Sequence, residues 1–287
     1  MLVPSIIQFM AHRYLLLLQD RGIRIEASGM QGLRFGISAE SIQAWVPVPL
    51  ATAPKRSFPL VIELHQAQGR LRIPLLTPWR LKAALSAQGY GGGISGEVAQ
   101  LFSRPTIDID IAQLALGEHP QLSAVGIESG TVSLEVRGHP MQPILPTNAS
   151  YKISARDLEI RPPPIVQNLA RISTVSGGAL EGSATIESSG RFNIPSCSFR
   201  SSLGDVGLSA RGTLTETLGL DTLSGTLRVN LSGSDSDKLA QWIPVLTQQQ
   251  VAAATKSFTC ALRSADCQGG QGLQVRLGAR CVRLACS

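Results

Sequence analysis

The chain has 287 residues, of which 43% are hydrophobic, 16% charged and 5% aromatic, with a net charge of +6. That hydrophobic content excludes a wholly disordered chain, and the length suits one large or two medium domains. The charge argues against nucleic acid by its distribution: Lys256, Arg263, Arg276, Arg280 and Arg283 face the single Asp266 at the C-terminal end, and no basic stripe interleaved with aromatics occurs before them.

Residues 1–22, MLVPSIIQFMAHRYLLLLQDRG, predict an amphipathic helix that Pro4 opens and Gly22 closes. His12, Arg13, Gln19 and Asp20 keep it short of the roughly 20 apolar residues of a spanning helix, and it lacks the order of a signal peptide. From Ile23 the pattern changes to period two. IRIEA, GLRFGIS, SFPLVIELH, WRLKAAL and TIDIDI alternate apolar with polar residues, which puts the two sets on opposite faces of strands. A short helical patch is expected at 119–125.

The next stretch, SGTVSLEVRG (Ser129–Gly138), sets Val132, Leu134 and Val136 against Thr131, Ser133, Glu135 and Arg137. It has an echo in SGTLRVNLSG (Ser224–Gly233), with Leu227, Val229 and Leu231 at the same offsets, and a looser one in GDVGLSARG, with Val206 and Leu208. These eight aliphatic residues form the candidate apolar sheet face, a groove or a partner surface. Strands buried on one side only are typical of antiparallel sheets. Between the copies lie YKISARDLEI, the proline break RPPP and a possible helix, IVQNLARIS; SDSDKLAQWIPVL then reads as a helix capped by Asp235 or Ser236.

The final segment, 251–287, lacks the alternation and holds Cys260, Cys267, Cys281 and Cys286, while Cys197 stands apart. The cysteine spacings do not match structural zinc patterns. This tail is expected to be a poorly ordered extension; a small disulfide-bonded appendage is the alternative. The organisation is then an N-terminal helix at 1–22, a β-rich domain at 23–250 and the atypical tail. The fold class is mainly β: an elongated, curved antiparallel sheet with short terminal helices.

No catalytic, cofactor-binding or metal-binding set emerges. Gly91, Gly93 and Gly96 satisfy G-x-G-x-x-G, but they sit between two alternating segments and read as a hairpin loop. Asp108 and Asp110 read as the solvated side of a strand. Of His12, His65, His119 and His139, the last two precede prolines and suggest turns. No nucleophile elbow is present.

The runs GIESGTVSLEVRG, SLGDVGLSARGTL and LDTLSGTLRVNLSGSDSDKLAQWIPVL resemble the type II secretion system protein N family, across roughly residues 20–246. That family is related in architecture to the AsmA-like proteins of the bacterial envelope. The resemblance implies a non-enzymatic inner-membrane protein with an AsmA-like β-rich groove facing the periplasm. Its partners would be other secretion-system components, with a membrane anchor preceding Met1 and no cofactor. The alternative is a lipid-binding or lipid-transfer module with acyl chains along the apolar face; an enzyme is the third reading.

Overall fold

A computed structural model of the protein describes residues 24–33, 35–50, 53–72, 80–101, 104–124, 126–139, 147–162, 167–168, 171–215, 220–233, 235–247, 250–252, 254–265, 273–277 and 280–287. The expected N-terminal helix lies outside the described residues, as do 165–166 and 169–170 of the possible helix at 165–173; of its other residues 167–168 are helical and 171–173 are not. The chain divides into two compact units, 1–121 with 133–149, and 122–132 with 150–287, where the sequence suggests one β-rich body and a tail.

Unit 1 contains β1 (Arg24–Ser28), β2 (Gln31–Leu33), β3 (Gly36–Leu50), β4 (Ala53–Arg72), β5 (Arg80–Gly89), β6 (Gly92–Leu101) and β7 (Arg104–Ala115). β1 and β2 both pair with β3, and from β3 onward each strand pairs antiparallel with the next. The period-two writing explains the register. Ile107, Ile109 and Ile111 of TIDIDI lie opposite Val98, Gly96 and Ile94, and Asp108 and Asp110 opposite Glu97 and Ser95. One face is therefore apolar and the other charged. α1 (Pro120–Ala124) falls in the expected helical patch, and β8 (Ile127–His139) and β9 (Thr147–Ile160) contribute residues to both units.

In unit 2, β10 (Val175–Ile186), β11 (Arg191–Ser201), β12 (Gly204–Leu214) and β13 (Leu220–Leu231) form an antiparallel meander. Two short helices follow, α2 (Ser236–Ala240) and α3 (Ile243–Leu246). The expected cap of α2 is not made: Asp235 at the N-cap makes no side-chain cap bond, and its Oδ1 instead accepts a hydrogen bond from Lys238 Nζ at 2.5 Å. Ser236 Oγ turns back and donates to the Gly233 carbonyl at 2.8 Å.

Within 251–287, where a poorly ordered extension or a small disulfide-bonded appendage is expected, the described residues 257–265, 273–277 and 280–286 form strands. β14 (Ser257–Ala265) pairs with β13, β16 (Arg280–Cys286) pairs with β14, and β15 (Leu273–Leu277) pairs with β16 as the edge strand. The alternation is present once cysteine counts as apolar: Phe258, Cys260 and Leu262 on β14, and Val282, Leu284 and Cys286 on β16. Cys260 and Cys286 are direct cross-strand partners joined by a disulfide, with Cα atoms 3.9 Å apart. Thr259 and Ser287 beside them exchange both backbone hydrogen bonds, which makes Cys260–Cys286 a non-hydrogen-bonded pair, the closer of the two antiparallel geometries. Cys281 is disulfide-bonded as well. The fold class is thus mainly β and antiparallel, as the alternation predicts.

Candidate functional site

Cross-strand partners share a face, so the ladders of unit 2 can be read as apolar rows. One row runs Leu180, Phe199, Val206, Val229, Phe258. The next runs Gly182, Cys197, Leu208, Leu227, Cys260, Cys286. The predicted Val206, Leu208, Leu227 and Val229 are brought together as direct pairs, while Leu231 lies opposite Gly204. Val132, Leu134 and Val136 stand on β8, where Val136 is buried to 6% exposure and the other two are half-buried. Burial in its row pushes the Cys197 thiol pKa up, which lowers its thiolate fraction and its reactivity.

The helical segment closes one end of this face. Ala240, Ile243 and Val251 form a buried cluster against which Leu231, Phe258 and Cys286 pack, and Leu239 and Trp242 pack against Ile172 and Val175. Away from that cap the face stays open. Most fully buried apolar residues in the described chain are Ala and Val, while Ile153 is 36% exposed. An aliphatic sheet face normally needs a second layer over it. Here the middle of the face has none among the described residues.

Unit 1 has a recess with a mostly apolar lining. A cavity of about 340 Å³ is walled by Ile25, Met30, Ile37, Ile42, Leu64, Leu85 and Ile94, with Ala39, Ala67 and Ala87 at its floor and Ser38, Gln68 and Ser86 as polar neighbours. Leu85 is 52% exposed and Met30 47%. None of these residues is in the predicted set, although their strands were legible. The signal that hides them is a change of phase in β4. Ile62 and Leu64 face inward, His65 and Gln66 both face outward, and then Ala67, Gly69 and Leu71 face inward again. Gln66 has φ +51°, a left-handed conformation that inserts the extra residue of a bulge. Gly69 and Gly96 flank Leu85 on the neighbouring strands, and the missing side chains leave the recess.

The remaining candidates are structural. Gly91 follows Tyr90 in a two-residue hairpin loop, both with positive φ as such turns require, and β6 follows it where a dinucleotide site needs a helix. Asp108 is exposed and meets Arg137 at 3.5 Å. No group of three metal-ligating side chains occurs among the described residues.

Tyr90 and His119 instead cap a backbone. β5 pairs with β4 only from Arg72 back to His65, so on that side the groups of Val61 and Glu63 need other partners. Tyr90 Oη accepts from the Glu63 amide at 2.9 Å and donates to the Val61 carbonyl at 3.3 Å. His119 Nε2 lies 2.8 Å from the Val61 carbonyl, and Gln121 Oε1 accepts from the Val61 amide at 3.0 Å. Tyr90→Phe is expected to lower the stability of unit 1 by about 1–2 kcal/mol, by leaving a partly buried amide without its acceptor. Burial pushes the Tyr90 phenol pKa up; the Glu63 amide bond opposes this and the nearby Glu63 carboxylate adds to it. A phenol raised on folding stabilises below its unfolded value of about 10, and that contribution is lost as pH rises through the folded value. Urea midpoints should therefore fall above about pH 10, less steeply in Tyr90→Phe, with Tyr151 keeping part of the slope through its own burial. Equal midpoints in both proteins at neutral pH would refute the capping role.

Among known proteins, no family model matches the chain, and neither a curated protein nor a solved structure gives a match.

Proposed function

We propose that this chain is a non-enzymatic, periplasm-facing protein of the bacterial envelope that holds an acyl chain against the apolar face of its sheet. The observation that carries this reading is the aliphatic recess in unit 1, which no second layer covers among the described residues. Its volume, about 340 Å³, is near the lower end of small-molecule pockets and suits one apolar chain. Each methylene taken from water into it would contribute about 0.8 kcal/mol. The disulfides support an oxidising compartment, since such bonds persist in the periplasm and are rare in the cytosol.

The test is lipid extraction from the purified full chain followed by mass spectrometry. Co-purified phospholipid or fatty acid is expected in the wild type and a loss of at least tenfold in Leu85→Glu, a position exposed enough for the fold to tolerate the charge. Lipid-free wild type, or equal lipid in both proteins, would overturn the reading.

The second reading is a component of the type II secretion apparatus, supported by the resemblance of the β8, β12 and β13 runs to the protein N family. On this reading the apolar face docks another component of that machine. Cells lacking the chain would retain folded exported enzymes in the periplasm, and unchanged export would exclude it.

A further inference from the structure

The other face of unit 2 breaks a rule of sheet construction. On β12, Arg211 lies opposite Ser224 of β13; Ser224 lies opposite Arg263 of β14; and Arg263 lies opposite Arg283 of β16. Three arginines thus share one row, two of them as direct cross-strand neighbours, an arrangement that destabilises a sheet. Neighbouring strands are about 4.8 Å apart, so Arg211 and Arg263 stand roughly 10 Å from each other. Arg228 shares the face, four residues along β13 from Ser224 or about 13 Å, with Gly207 and Thr259 as its partners. All four arginines are exposed, and none makes an ion pair or side-chain hydrogen bond with a described residue. The rows they occupy on β12, β13, β14 and β16 contain no carboxylate and no aromatic ring.

Between the arginine row and Arg228 lies a row of small residues centred on Thr226 and Ala261. The result is a shallow trough with guanidinium groups on both banks. Like charges held in register cost stability, and no described carboxylate forms an ion pair with any of the four arginines. We infer that this face is a docking surface for an extended acidic segment of a partner protein, whose carboxylates take the arginine forks while its backbone lies over the small row. Arginine is suited to this because its planar fork meets a carboxylate through two hydrogen bonds. A single-stranded nucleic acid would need rings to stack on. A bilayer surface would need apolar groups to insert, and it would leave the trough unfilled.

The experiment uses the full chain and a fluorescent peptide of alternating Glu and Ser, about ten residues long and so roughly 33 Å when extended. Anisotropy should show binding that weakens steeply with added salt. Arg283→Glu should weaken it at least tenfold while raising the urea midpoint, because it turns the Arg263–Arg283 repulsion into a cross-strand ion pair. That opposite movement of affinity and stability separates a lost surface from a lost fold. Arg156→Glu, an exposed charge reversal elsewhere in unit 2, should reduce binding less than twofold. The inference is overturned if the peptide does not bind, if the two variants weaken it equally, or if phosphatidylglycerol vesicles or a single-stranded oligonucleotide bind more tightly than the peptide.

Discussion

Val229→Asp is expected to lower the stability of unit 2 by about 3 kcal/mol, whereas Arg228→Glu, one residue away, should change it by less than about 0.5 kcal/mol. Val229 lies between Val206 and Phe258 in the apolar row, with Leu227 beside it on the same strand. A carboxylate there loses hydration without gaining a partner, and it also removes the aliphatic contact. Arg228 points to the opposite face, where Gly207 and Thr259 neither crowd it nor pair with it. Urea midpoints of the two variants decide the matter. Similar losses would mean that the faces are not distinguished here, and that the repeated line is not a half-buried strand. An unchanged urea midpoint in Val229→Asp would mean that the row stays hydrated.

The same alternation marks the limit of what could be read from residues alone. TIDIDI, the two Ser-Gly-Thr lines and the patch at 119–125 were legible because each obeys one period from end to end. The recess in unit 1 was not, because its wall crosses a bulge. Three strands repeat the device: His65 and Gln66, Ala112 and Gln113, and Arg156 and Asp157 are each two exposed residues in succession, the second with φ between 51° and 54°. Glycine would have announced such a turn of the backbone, but glutamine and aspartate do not, and the alternation on either side looks merely broken. Each bulge bends its strand and re-phases its side chains, so that Leu64 and Ala67, or Ala155 and Leu158, come to serve one face. The C-terminal strands were hidden for a different reason. Cys260 and Cys286 occupy apolar positions in the ladder, where cysteine packs as a small hydrophobe, and a reading that treats them only as potential ligands or cross-links loses the period.

Replacing both Cys260 and Cys286 with Ala should be the more damaging of the changes to β14 and β16, at about 3.5 kcal/mol. The bond closes a loop with a sequence separation of 26, and the chain entropy it removes from the unfolded state accounts for about that amount. Packing adds to it. Cys260 is 1% exposed, and Cys286 sits under the helical cap with its amide donating to Gln250 Oε1 at 2.7 Å. The backbone ladder alone is a poor substitute, because Arg263 and Arg283 repel each other within the strand pair that the disulfide joins. That repulsion is screened by salt, so the loss should be greater at 10 mM than at 500 mM sodium chloride, where the Debye length falls from about 30 Å to about 4 Å. The double variant should also be trimmed from the C-terminal end by carboxypeptidase, which would strip β16 once it leaves β14. A loss below about 1 kcal/mol at low salt, with the C-terminus still protected, would show that the ladder and the cap hold β16 without the staple.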